Sequence, residues 1–200
     1  VLQAGWMAFP LNPQLTPEEL SNLLRRAPVP LIFTTTELLP LCQTAVKSFD
    51  QSPGIFCTDQ ILPLSGTSPA IRPVSSREPM LLASSGSTGK AKLVQLSEEN
   101  LDFNVITYLR HMGYQKHRDP SPRYALGTPL FGIYGQLVAF SCVVAGYPFL
   151  PMADHFSLNS LYRGAQELGL THYDGGTLAA VLMDKTLGHT IPYDISSLCY

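Results

Sequence analysis

Residues 84–92 read Ser-Ser-Gly-Ser-Thr-Gly-Lys-Ala-Lys, which sets four hydroxyls, two glycines and two amines within nine positions. These are the groups a polyanion requires. Gly86 and Gly89 carry no Cβ, so backbone N–H groups can approach an anion closely. Ser84, Ser85, Ser87 and Thr88 donate hydrogen bonds through rotatable hydroxyls, and Lys90 and Lys92 supply compact positive charge. A nucleotide phosphate is the ligand that this chemistry fits.

Spacing decides between the known kinds of phosphate loop. The P-loop of nucleoside triphosphatases needs a glycine five residues before its Gly-Lys pair, and that position is Ser84. It also needs Ser or Thr after the lysine to meet magnesium, and the chain has Ala91 there. The dinucleotide fingerprint G-x-G-x-x-G is absent. A plain Ser/Gly-rich hairpin turn remains as the structural alternative, although a turn needs neither six consecutive hydroxyl or glycine residues nor lysines behind them.

The elements that must position this loop are legible on both sides of it. Residues 80–85 form an apolar strand entering the loop, and residues 92–96 a strand leaving it. Upstream, Thr16-Pro17-Glu18-Glu19 is a helix start, with Thr16 as N-cap, Pro17 at the first position and Glu19 completing a capping box. Leu20, Leu23 and Leu24 follow at helical spacing, and Pro28 and Pro30 end the helix. A strand at 29–34, a helix from about 37 to 49 and a strand at 55–58 come next. Residues 59–79 are Pro-, Ser-, Gly- and Thr-rich and read as a connector. Downstream, Ser97 caps a helix with Leu101, Val105, Tyr108 and Met112 on one face. Strand 124–128, helix 133–145, strand 147–151, helix 158–168 ending at Gly169, strand 171–173 and a helix over 177–185 complete the alternation. Such alternation predicts an α/β fold of mostly parallel, doubly wound sheets with flanking helices. The expected organisation is a first α/β segment at 1–58, the connector at 59–79, and the loop with its following α/β segment at 80–200.

Composition narrows the function classes. Charged residues make up 14% of the 200, well under the usual ~25%, while apolar residues make up 45%. So apolar a surface is expected of a piece of a larger domain whose other parts cover it. The net charge of −2 and the lack of a basic stripe argue against nucleic acid as a partner. Cys42, Cys57, Cys142 and Cys199 lack C-x-x-C spacing, so they read as small core residues of a reducing compartment, with no metal site or disulfide frame. The uncharged run 124–153 is long enough to span a bilayer, but Gly127, Pro129, Gly132, Gly135, Gly146, Pro148 and Pro151 divide it into strand and helix lengths. No transmembrane segment is expected. His111 and His117 sit in a charged, punctuated stretch and are expected to be solvated. His155, His172 and His189 show no triad or metal spacing.

The run Ser84-Ser85-Gly86-Ser87-Thr88-Gly89-x-x-Lys92 resembles the phosphate-binding signature of the adenylate-forming, AMP-binding enzymes. That superfamily includes acyl- and aryl-CoA ligases, luciferases and peptide-synthetase adenylation domains. Ala4-Gly5 with Pro10-Leu11-Asn12-Pro13, Thr16 and Glu19-Leu20 is similar to the family's upstream segment. Thr128-Pro129-Leu130-Phe131-Gly132-Ile133-Tyr134-Gly135 is similar to the P-L-F-H-x-Y-G segment of its CoA ligases. The order along the chain is also the family's. The chain departs from the pattern at Ala91 for proline and Leu93 for glycine beside the loop lysine. It departs again at Gly132 for histidine, at Gly175-Gly176-Thr177 for Val-Pro-Pro, and at Asp154 or His155 for a basic residue.

The resemblance implies part of the large N-terminal domain of an adenylate-forming enzyme. It implies attack of a carboxylate on the α-phosphate of ATP, release of pyrophosphate, and then thioester formation with coenzyme A. Luciferase-like or peptide-synthetase chemistry, or a non-catalytic nucleotide-binding relative, are the alternatives. On this resemblance Ser84, Ser85, Gly86, Ser87, Thr88, Gly89 and Lys92 hold the ATP phosphates, and Tyr134 and Gly132 border the acid pocket. Magnesium would be held mostly by residues beyond these 200, so that the 200 alone are expected to be inactive and to lack a confident catalytic residue. A cytoplasmic location is expected, with a peroxisome or mitochondrion as alternatives.

Overall fold

A computed structural model describes residues 5–60, 78–84, 91–112, 122–152, 157–186 and 190–198. The chain divides into two compact units, residues 11–71 and residues 1–10 with 72–200.

In the first unit, α1 (Pro17–Arg26) begins at the expected capping box: Thr16 Oγ1 accepts from the Glu19 N–H, and the Glu19 carboxylate accepts from the Thr16 N–H. Strands β1 (Leu31–Thr34) and β2 (Gly54–Cys57) pair in parallel, with Ile32 opposite Ile55, and α2 (Leu39–Val46) connects them. Leu20, Leu24, Cys42, Ala45 and Val46 form the core with Ile32 and Ile55 packed against it. The helix expected over 37–49 is shorter at both ends. Both Asp59 carboxylate oxygens accept from the Thr36 N–H, which ties the preceding turn to the end of β2. Pro40 then stands in the first helical turn, where its missing N–H is tolerated.

In the second unit, β3 (Met80–Ser84) and β4 (Lys92–Leu96) form an antiparallel hairpin, and Ala8 bridges to Met80 alongside β3. Helix α3 (Glu98–His111) follows, with Ser97 and Asn100 forming its capping box. Then come β5 (Tyr124–Leu126), α4 (Ile133–Ala145), β6 (Phe149–Pro151), α5 (Leu158–Leu168), β7 (His172–Asp174) and α6 (Thr177–Thr186). The sheet order is β6-β5-β7, all parallel.

Central β5 is buried on both faces, as a parallel strand covered by helices must be. Tyr124 and Leu126 point to Val138 and Cys142 of α4, while Ala125 points to Leu161 and Tyr162 of α5. The fold is therefore α/β, with helices on both faces of a parallel sheet. The uncharged run 124–152 is β5, α4 and β6, and among the described residues no helix is long and apolar enough to cross a membrane.

Candidate functional site

Of the residues expected to hold phosphate, Ser84 ends β3 and Lys92 begins β4. Met80 and Leu82 are buried on one face of β3, and Ser84, next on that same face, is exposed where the strand ends. Ser84 lies opposite Lys92 in register, and its hydroxyl donates to the Lys92 carbonyl at 3.5 Å. Both are exposed, so an ammonium and a hydroxyl share the open end of the hairpin. Ser85, Gly86, Ser87, Thr88 and Gly89 lie outside the described residues, as do Asp154, His155, His117 and His189. The two strands bring Ser84 and Lys92, the ends of that stretch, together.

A second group of residues gathers at the carboxyl ends of β5 and β7. Gly132 is the N-cap of α4, and its backbone N–H donates to the Pro129 carbonyl at 3.1 Å. A Cβ at Gly132 would meet only that oxygen, at 3.5 Å, so packing does not demand glycine there. Gly135 is different. Its Cβ would lie 2.2 Å from the Pro129 oxygen, so the approach of the first turn of α4 to that backbone excludes any side chain. Tyr134, between them, is 45% exposed. Burial, together with its interaction with the nearby Asp174 carboxylate, pushes its pKa up to about 12.

Asp174 was absent from the sequence expectations, as was any polar role for Tyr108. Asp174 ends β7 and is 8% exposed. The Tyr108 hydroxyl donates to its Oδ2 from α3, and its backbone carbonyl accepts from the Gly127 N–H at 2.7 Å. Burial, then the bond to Asp174, raises the Tyr108 pKa far above that of a free phenol. Burial and the same carboxylate raise Tyr173, and push the Cys142 thiol to about 12. Cys142 is thus held as an unreactive thiol. The signal available in the sequence was an acid, Asp174, closing a short strand just before Gly175-Gly176.

Two of the histidines lie among the described residues. His111 is exposed at the end of α3, and His172 stacks on Tyr124 with ring centroids 5.0 Å apart. Among the described residues no group of His, Cys, Asp and Glu could hold a metal ion.

Comparison with known proteins places this geometry. The chain is 28% identical to peroxisomal OPC-8:0-CoA ligase 1 of Arabidopsis thaliana, over 74% of this chain and 28% of that protein. It is also 28% identical to 4-coumarate–CoA ligase-like 4 of Oryza sativa subsp. japonica, over 86% of this chain and 34% of that protein. The chain therefore spans about a third of the length of these curated relatives. The N-terminal domain of FACL13 from Mycobacterium tuberculosis superposes with a TM-score of 0.77 at 16% identity, covering 99% of this chain and 50% of that one. O-succinylbenzoate coenzyme A synthetase of Bacillus subtilis, in complex with AMP, does so at 0.74 and 20%, covering 94% and 37%. At such identities these structures speak to the fold, which is that of the N-terminal domains of adenylate-forming enzymes. The family model described as AMP-binding enzyme matches residues 1–187, and the chain belongs to that family.

Proposed function

We propose that this protein activates a carboxylic acid with ATP, forming an acyl-adenylate and releasing pyrophosphate, and then transfers the acyl group to the thiol of coenzyme A as the acyl–phosphate bond breaks and AMP leaves. The observation that carries this is the family match running through a hairpin whose open end presents Ser84 and Lys92. In the first step a carboxylate oxygen bonds to the α-phosphorus while the bond to the β-phosphate oxygen breaks. Pyrophosphate leaves with that electron pair. Catalysis of such a transfer rests on position and charge neutralisation rather than on covalent help from the protein. Ser84, Ser85, Gly86, Ser87, Thr88, Gly89 and Lys92 would hold the β- and γ-phosphates, and Lys92 would offset the charge that builds on the departing pyrophosphate. Ser84 and Lys92 fit that task, being exposed at one end of one hairpin. Magnesium would neutralise further phosphate charge when bound. Tyr134 and Gly132 would border the acid, one offering a phenol and the other space. The names of the two plant relatives support coenzyme A as the acceptor. Free cysteines at 42, 57 and 142 fit a reducing compartment such as the cytoplasm, and the peroxisomal relative is the precedent for the alternative.

The test is ATP–pyrophosphate exchange by the protein expressed from its complete open reading frame, with a panel of fatty and aromatic acids. Acid-dependent exchange, followed by thioester formation on adding coenzyme A, is the expected result. Nucleotide binding without exchange on any acid would overturn this proposal in favour of a non-catalytic relative.

A further inference from the structure

The connections leaving β5 and β7 part at the carboxyl ends of two adjacent strands. The chain after β5 goes to α4, whose Val138 and Cys142 pack on one face of the sheet. The chain after β7 goes to α6, whose Met183 packs on the other. In open α/β sheets such a parting leaves a crevice outside the strand ends, where ligands bind. What surrounds this one is distinctive. Asp174 ends β7 at this parting, more than nine-tenths buried, and accepts from the Tyr108 hydroxyl of α3, while Tyr134 of α4 lies near enough to feel its charge. The Tyr173 hydroxyl lies across both strand ends, because a Cβ at Gly127 or at Gly175 would fall 2.0 Å from it. Thr128 Oγ1, one residue past Gly127, is buried and has no partner among the described residues. The groups that feel the carboxylate's charge are Tyr108, Tyr134, Tyr173 and Cys142, all neutral.

A carboxylate can accept about four hydrogen bonds, so the Tyr108 phenol leaves capacity unused. A wholly aliphatic chain laid against this cluster would strip water from Asp174 and Thr128 and return nothing. A chain ending in an amine or a hydroxyl would replace that water. We propose that Asp174 is a specificity-determining residue that selects acids carrying a hydrogen-bond donor, an amine or a hydroxyl, at the end remote from the reacting carboxylate. Tyr134, half exposed beside it, is the wall along which such a substrate reaches the carboxylate. This rests on the acid-activating function proposed above.

The experiment measures kcat/KM for ATP–pyrophosphate exchange with acids of equal length ending in an amine, a hydroxyl or a methyl group, on protein from the complete reading frame. The expected result is a preference of at least about tenfold for one donor-bearing acid over its methyl counterpart, since sites built to bond a donor reject analogues lacking it. The amine and hydroxyl arms identify which donor is meant. In Asp174→Asn the ratio of amine or hydroxyl acid to methyl acid falls by about tenfold. A ratio taken on one preparation is insensitive to how much of the variant is folded. Tyr134→Phe, which removes one phenol and keeps the ring, provides a milder variant in which the same ratio shifts. Exchange that favours the methyl acids, or a ratio unchanged in both variants, overturns this inference and leaves the acid-activating function standing. No exchange with any acid overturns both.

Discussion

At the residue scale, two positions three apart behave oppositely although both are glycine. Gly132 and Gly135 open α4, but only Gly135 is forced by the backbone it approaches. Gly135→Ala should therefore cost about 1–3 kcal/mol of stability through overpacking against Pro129. Gly132→Ser has room and would give α4 the side-chain N-cap it lacks, raising stability by a few tenths of a kcal/mol, roughly the difference between Gly and Ser caps. Denaturant unfolding of the two variants reads both effects. Lys92 makes the complementary prediction for activity. Lys92→Ala should lower kcat/KM for ATP by about tenfold or more, with partial recovery in Lys92→Arg, because a positioned charge meets charge that develops during the reaction. Equal activity of the alanine variant at limiting ATP would remove Lys92 from the site. Tyr134 was singled out by its segment, whereas Asp174, whose charge it feels, lies forty positions later and comes near it only because β5 and β7 are neighbours.

At the scale of elements, local chemistry accounts for most of what is observed. The Thr16 and Ser97 caps, the left-handed C-caps Gly146 (φ 71°) and Gly169 (φ 61°), and the apolar strands stand where their residues put them. These are interactions within a few residues, so they do not depend on the rest of the molecule. Differences arise where partners are distant. The start of α2 is displaced because Asp59, more than twenty residues away, binds the Thr36 backbone. The first cap carries a pH dependence. The Thr16 backbone and side-chain donors hold the Glu19 carboxyl below its usual value of 4.5, and the Thr36 N–H does the same for Asp59 below 3.8. A depressed carboxyl contributes stability that is present above its unfolded value and lost as pH falls through the folded one. The unfolding midpoint should accordingly drop on acidification below about 4.5, and Glu19→Gln should flatten that drop near α1. An acid limb of the same steepness in the glutamine variant would assign the effect elsewhere.

At the scale of the whole molecule, the phenols around Asp174 have the opposite sign. Tyr108, Tyr134 and Tyr173 all titrate above the free value of 10.0, with Tyr134 at about 12. A raised phenol contributes stability that is complete below its unfolded value and lost as pH rises through its folded one. Alkaline titration followed by tyrosinate absorbance should show these phenols ionising late, together with loss of structure, between about pH 10 and 12. Asp174→Asn should bring Tyr134 ionisation down in the folded protein. A titration in which every tyrosine ionises near 10 with the fold intact would contradict the buried cluster.

What the sequence determined by itself is what short-range chemistry determines: the helix caps, the kind and order of the elements, and the composition of the loop from Ser84 to Lys92. Order along the chain added the family. Tertiary structure alone decided which strand ends adjoin. Parallel strands are joined through helices, so the neighbours of a strand are set by packing rather than by sequence distance. That is why the antiparallel pairing of Ser84 with Lys92 could be anticipated from one short loop. The meeting of Tyr108, Tyr134 and Asp174 could not, because it needs α3, α4 and β7 to be folded around β5 before the three side chains come together.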